Sequence, residues 1–138
     1  MPQHTPISTA PAYPPLDNRL KISALWMSVL LIFAYVDIFA FFRADVLEDI
    51  ARYQVAGLEI NQTFLAATTI YIMIPSLMVA LTLFLPRRIN KWANIVLALL
   101  NALSIAASCI GETWIYYWLA SVVEIILLLI LARIAARL

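Results

Sequence analysis

The apolar run at residues 114–132 carries a single carboxylate, Glu124, near its centre, and no other feature constrains the fold as much. A helix needs about twenty apolar residues to cross the hydrocarbon of a bilayer. An acid at mid-depth costs about 3 kcal/mol on insertion scales. Glu124 must therefore face other helices, and the chain has to supply them. It does so with apolar segments of similar length at 23–42, 63–85 and 92–110. With 64% hydrophobic and 12% charged residues, the composition lies outside the range of soluble domains and inside that of integral membrane proteins. The expectation is an all-α fold, an integral membrane antiparallel four-helix bundle over 21–138, with the lipid bilayer as its first partner.

Basic residues predict its orientation. Arg19 and Lys21 precede the first segment, Arg87, Arg88 and Lys91 separate the second from the third, and Arg133 and Arg137 follow the fourth. Only Arg43 and Arg52 fall on the opposite side, among Asp45, Glu48, Asp49, Glu59 and Glu112. The positive-inside rule then places both termini in the cytoplasm. Residues 1–20 hold most of the prolines among small polar residues and read as a disordered cytoplasmic tail. Within 43–62, Val46, Leu47, Ile50 and Tyr53 recur at helical spacing opposite the charged residues. This predicts a short amphipathic helix in the first outer loop, ended near Gly57 and serving as lid or tether.

Several function classes drop out. A net charge of +1 offers no electrostatic footprint for nucleic acid. Cys109 is the sole cysteine and His4, in the tail, the sole histidine, so neither a disulfide nor a histidine-based metal or haem site is expected. No histidine or lysine lies within the helices to activate Ser104, Ser108 or Ser121, so no catalytic residue, metal or cofactor is assigned.

The polar residues inside the apolar segments are the candidate site. At 1.5 Å per residue, Asp37 lies about 8 Å from the outer end of its helix, Tyr117 about 5 Å, Tyr71 about 12 Å, and Asn101 and Glu124 about 14–15 Å. Asn101 and Glu124 are therefore expected to meet, because the short turn at 111–113 forces their helices side by side. Ser121 shares the Glu124 face, and Ser104 continues a stripe running Asn94, Asn101, Ser104, Ser108. Pro75 should kink its helix and free the Tyr71 carbonyl. Ala98, Ala102 and Ala106 form a ridge of small residues suited to close helix packing, within the chain or in a homo-oligomer or membrane complex.

Three readings remain open. A polar column of Asp37, Tyr71, Asn101, Tyr117 and Glu124 has the ingredients to bind a small amphipathic or cationic ligand, or protons. The same residues serve equally as hydrogen-bonded glue fixing helix register in a non-catalytic scaffold or accessory subunit. A carboxylate- and tyrosine-based quinone- or lipid-linked activity is the third.

Tyr35-Val36-Asp37-Ile38-Phe39, Ile74-Pro75-Ser76-Leu77-Met78, Asn90-Lys91-Trp92-Ala93-Asn94-Ile95 and Tyr116-Tyr117 with Glu124 together resemble a family of small bacterial four-helix membrane proteins of unknown function. The resemblance covers 21–133 and leaves out the proline-rich tail. It implies a bacterial inner-membrane protein and no activity. A looser similarity is to DoxX-like membrane proteins, some linked to quinone-side redox chemistry. Small multidrug exporters also have four short helices and a membrane glutamate, but in the first helix, where this chain has Asp37.

Overall fold

A computed structural model describes residues 15–138; His4 and most of the proline-rich segment lie outside the described residues. The fold is all-α with five helices, α1 (Asn18–Ala40), α2 (Ala44–Ala51), α3 (Gln62–Phe84), α4 (Arg87–Ser108) and α5 (Ile115–Ala135). All except α2 are long and apolar enough to cross a membrane.

Local chemistry sets the boundaries. The Asp17 side chain accepts from the Arg19 backbone N–H at 3.1 Å, which starts α1 ahead of its apolar stretch. The Asn61 side chain does the same for α3, accepting from Phe64 N–H at 2.9 Å. Pro86 disfavours helical geometry at Leu85, so α3 stops at Phe84 and α4 begins directly after the proline. Arg87, Arg88 and Lys91 therefore sit in the opening turns of α4, which starts earlier than the hydropathy boundary at 92.

The expected amphipathic helix forms as α2, but it does not reach Gly57. Tyr53 has a φ of 57°, which ends the helix, and Gln54–Val55 then pairs with Leu58–Glu59 in a two-residue-stranded hairpin. Ala56 and Gly57 make its turn with φ of 51° and 77°, the left-handed pair of a type I′ turn. Alanine is an unusual residue there, so the turn signal in the sequence was weak.

α1 packs against both α3 and α5, and α5 packs against both α1 and α4; α3 and α4 meet only sparingly. Burial is uneven along the helices. In α1 the buried residues are Ile22, Ser23, Trp26 and Val29, all in its first half, and in α3 they begin only at Pro75. The core thus concentrates at the end carrying the basic residues, where Trp26, Leu128, Leu131 and Ala135 are fully buried. The helices are less tightly packed toward the hairpin.

A polar network pins that basic end. Trp26 Nε1–H donates to Asn94 Oδ1 at 2.7 Å, and the Thr82 hydroxyl donates to the same oxygen at 3.2 Å. Asn94 Nδ2 donates to the Asn90 side chain at 2.6 Å and backbone carbonyl at 2.8 Å, and Asn90 Nδ2 donates to the Thr82 carbonyl at 2.7 Å. Trp26, Thr82, Asn90 and Asn94 have no exposed surface. Their satisfied donors and acceptors tie α1, α3 and α4 together. Ser23 adds a bond to the Val79 carbonyl at 2.7 Å.

Candidate functional site: an acidic cleft beneath the hairpin

Where the helices loosen, a cleft of about 480 Å³ opens between the last turns of α1, the end of α4, the start of α5 and the α2 hairpin. Its charged lining is Asp37, Asp45, Asp49 and Glu112 against a single cation, Arg43. Four carboxylates facing one guanidinium leave a strong excess of negative charge.

Arg43 is fully engaged. Its guanidinium donates to both Asp45 carboxylate oxygens, at 2.7 and 3.2 Å, and to Glu112 Oε2 at 2.9 Å, and it lies 4.8 Å from the centroid of the Trp114 ring. These contacts join the start of α2 to the turn between α4 and α5. Glu112 Oε1 in turn accepts from the Thr113 and Trp114 N–H groups at 2.8 and 3.0 Å. The hydrogen bond to Asp45, with Glu112 beside it, raises the Arg43 pKa above its already high value. The Arg43 hydrogen bond holds the Asp45 carboxyl below its usual range. At Glu112 burial pushes the pKa up, but Arg43 and the two backbone N–H donors outweigh it and the net shift is down.

Asp37 differs. It lies on the α1 face that also carries Trp26, Phe33 and Ala40, at spacings of 11, 4 and 3 residues, so its exposed carboxylate looks into the cleft. Among the described residues no hydrogen bond or ion pair reaches it. Across the cleft, the Tyr117 hydroxyl donates to Ser108 Oγ at 2.8 Å, and Ser108 donates to the Ile105 carbonyl at 2.7 Å. The Tyr116 hydroxyl is buried near Arg43 without a well-formed hydrogen bond.

The other residues of the expected column lie elsewhere. Tyr71 donates to Ser104 Oγ at 2.9 Å, bridging α3 and α4. Tyr71, Phe33, Pro75 and Asn101 line a void of about 10 Å³, at the lower limit for one water. Asn101 does not meet Glu124: its amide donates to the Leu97 carbonyl of its own helix at 2.9 Å. Glu124 is 3% exposed and lines none of these cavities, and its Oε1 has no partner among the described residues. Ser121 is buried on the same face of α5. The helix spacing that set the depths said nothing about rotation, and rotation divides the residues among cleft, void and core. Pro75 is buried inside a continuous α3. Of the alanine ridge, Ala98 is fully buried, Ala102 half-buried and Ala106 exposed.

Sequence reasoning assigned Arg43 and Glu112 to the count of flanking charges and missed their pairing. The one available signal was the presence of just two cations, Arg43 and Arg52, among the acids of that side. Among the described residues, no three His, Cys, Asp or Glu side chains cluster closely enough to ligate a metal.

No curated protein and no solved structure matches the chain, and the looser DoxX-like similarity is not shown by any comparison. The model of the Family of unknown function (DUF6326) matches residues 16–137, and the chain belongs to that family.

Proposed function

We propose that the chain is a bacterial inner-membrane protein, an antiparallel four-helix bundle with both termini cytoplasmic, whose hairpin-end cleft binds a small organic cation from the outer side. The observation that carries this reading is the unpaired Asp37 carboxylate at the inner wall of a cleft with an excess of acids. A carboxylate placed near the end of a membrane helix without a partner is costly, and a cation entering the cleft offsets that cost. Protons compete for the same group, so proton coupling belongs to the same site.

The test is calorimetric titration of butylammonium into the protein held in neutral lipid nanodiscs. Wild type should bind saturably, and Asp37→Asn should bind about tenfold more weakly, a loss of about 1.4 kcal/mol. Equal binding by wild type and Asp37→Asn overturns the proposal.

A second reading, a non-catalytic scaffold or accessory subunit, draws on a different observation. α3 and α4 barely pack together, and Ala106 is left uncovered. Small residues on an open face suit close approach by another helix. Ala106→Leu would then abolish self-association or partner binding while leaving butylammonium titration unchanged.

A further inference from the structure

A second concavity adjoins the acidic cleft. Between α1 and α5 runs a groove of about 420 Å³ whose walls are Leu31, Tyr35 and Phe39 on one side and Leu119, Ala120 and Val123 on the other. Its lining is almost wholly apolar. Val36 and Tyr116 line both the groove and the cleft, so the two share a wall. Tyr116 also brings to that junction its buried hydroxyl, which lacks a well-formed hydrogen bond.

We infer that cleft and groove form one two-part site for a cationic amphiphile, with its ammonium head among the carboxylates and its single apolar tail laid between α1 and α5. This rests on the cation-binding reading of the cleft and adds the class of ligand and its route, laterally from the bilayer. Three observations select this occupant. The acid excess demands a cation at the cleft end. The groove is almost wholly apolar along its length and so favours a tail over a head group. The shared residues bring the two parts within the length of one molecule. An ordinary phospholipid matches less well, since its phosphate would enter a site that already holds unpaired carboxylates. In lipid the tail gains little from the hydrophobic effect, because the surrounding chains are equally apolar. The groove therefore supplies position, and the carboxylates supply affinity.

The experiment uses dodecylammonium bearing a diazirine at its terminal carbon, photolysed with the full chain in neutral lipid nanodiscs, with adducts mapped by peptide mass spectrometry. The expected result is labelling of Leu31, Leu119 and Val123, reduced about tenfold in Asp37→Asn as for any site that loses a charge worth one decade of affinity. An excess of butylammonium should compete the labelling away. Val123→Trp, at an exposed position on the groove's rim where folding is not at risk, should move the adducts out of the groove.

Labelling that depends on Asp37 but falls on α3 and α4 overturns the two-part site and leaves the cation cleft standing. Equal labelling by the uncharged dodecanol analogue, undiminished in Asp37→Asn, shows a groove filled by any lipid chain and also overturns it. If butylammonium neither binds in the titration nor competes, the cleft reading fails and the inference with it.

Discussion

The two ends of this protein treat the polar side chains of their helices in opposite ways. At the basic end, Trp26, Thr82, Asn90 and Asn94 are fully buried and bonded to one another. At the hairpin end, the helices loosen around a cleft in which Asp37 has no partner among the described residues and only Arg43 offsets four acids. A low-dielectric interior makes both arrangements consequential: satisfied polar groups specify how helices fit, and unsatisfied ones cost stability that only a ligand or a proton returns. The contrast gives the first end a packing role and is what the proposed cation binding at the second end rests on.

The strongest way to break that assignment is Asn94→Leu. It strands the Trp26 N–H and leaves Asn90 and Thr82 short of a partner in a region with no exposed surface, which should cost roughly 2–4 kcal/mol. Unfolding by denaturing detergent, followed by helical circular dichroism, measures it. A loss below about 0.5 kcal/mol would mean that apolar packing alone holds this end.

Arg43 sharpens the contrast from the other side. Arg43→Gln removes both carboxylate contacts and the stack on Trp114, and should cost about 1 kcal/mol, since the Asp45 side of the pair is exposed and screened. The effect should be local, seen as faster hydrogen exchange in 44–60 with the basic end unchanged. Acid should imitate the substitution. The folded-state pKa values of Asp45 and Glu112 are depressed, so their contribution is complete above the ordinary carboxylate range and is lost as pH falls through the depressed values, below about 4. The signal to follow is the Trp114 fluorescence lost in Trp114→Phe, because Trp114 stacks on Arg43. An acid transition of equal size in Arg43→Gln would show that the pairing is not its source.

Much of the fold was legible because hydropathy and charge are one-dimensional properties. Four segments of spanning length, the acidic loop helix and the short turn at Gly111 follow from residue order alone. The site was less legible because it depends on helix rotation and splay. Spacing predicts matched depths for Asn101 and Glu124, yet the Asn101 amide turns back to Leu97 and Glu124 is buried without a bond to it. The network around Asn94 was hidden for a related reason: its central acceptor serves Trp26 from 68 residues away. The hairpin escaped because Ala56-Gly57 carries a weaker turn signature than Asn-Gly. Asp37 and Tyr117 reach the cleft because they lie close to helix ends, where loosening converts depth into access.

The smallest stability effect belongs to Asp37, and it is the most discriminating. Replacing a bonded polar residue loses its bonds, whereas replacing an unpaired acid with its neutral isostere removes the cost of holding an ion in a partly buried site and breaks no hydrogen bond. Asp37→Asn should therefore leave the unliganded protein unchanged or more stable, by about 0.5 kcal/mol at most. The same substitution should remove most of the stabilisation that an added alkylammonium gives wild type, because a ligand stabilises only the state that binds it. A packing role would produce the reverse pattern, a loss without ligand and an unaltered response to it. Two unfolding curves for each protein, with and without alkylammonium, separate these cases on one preparation.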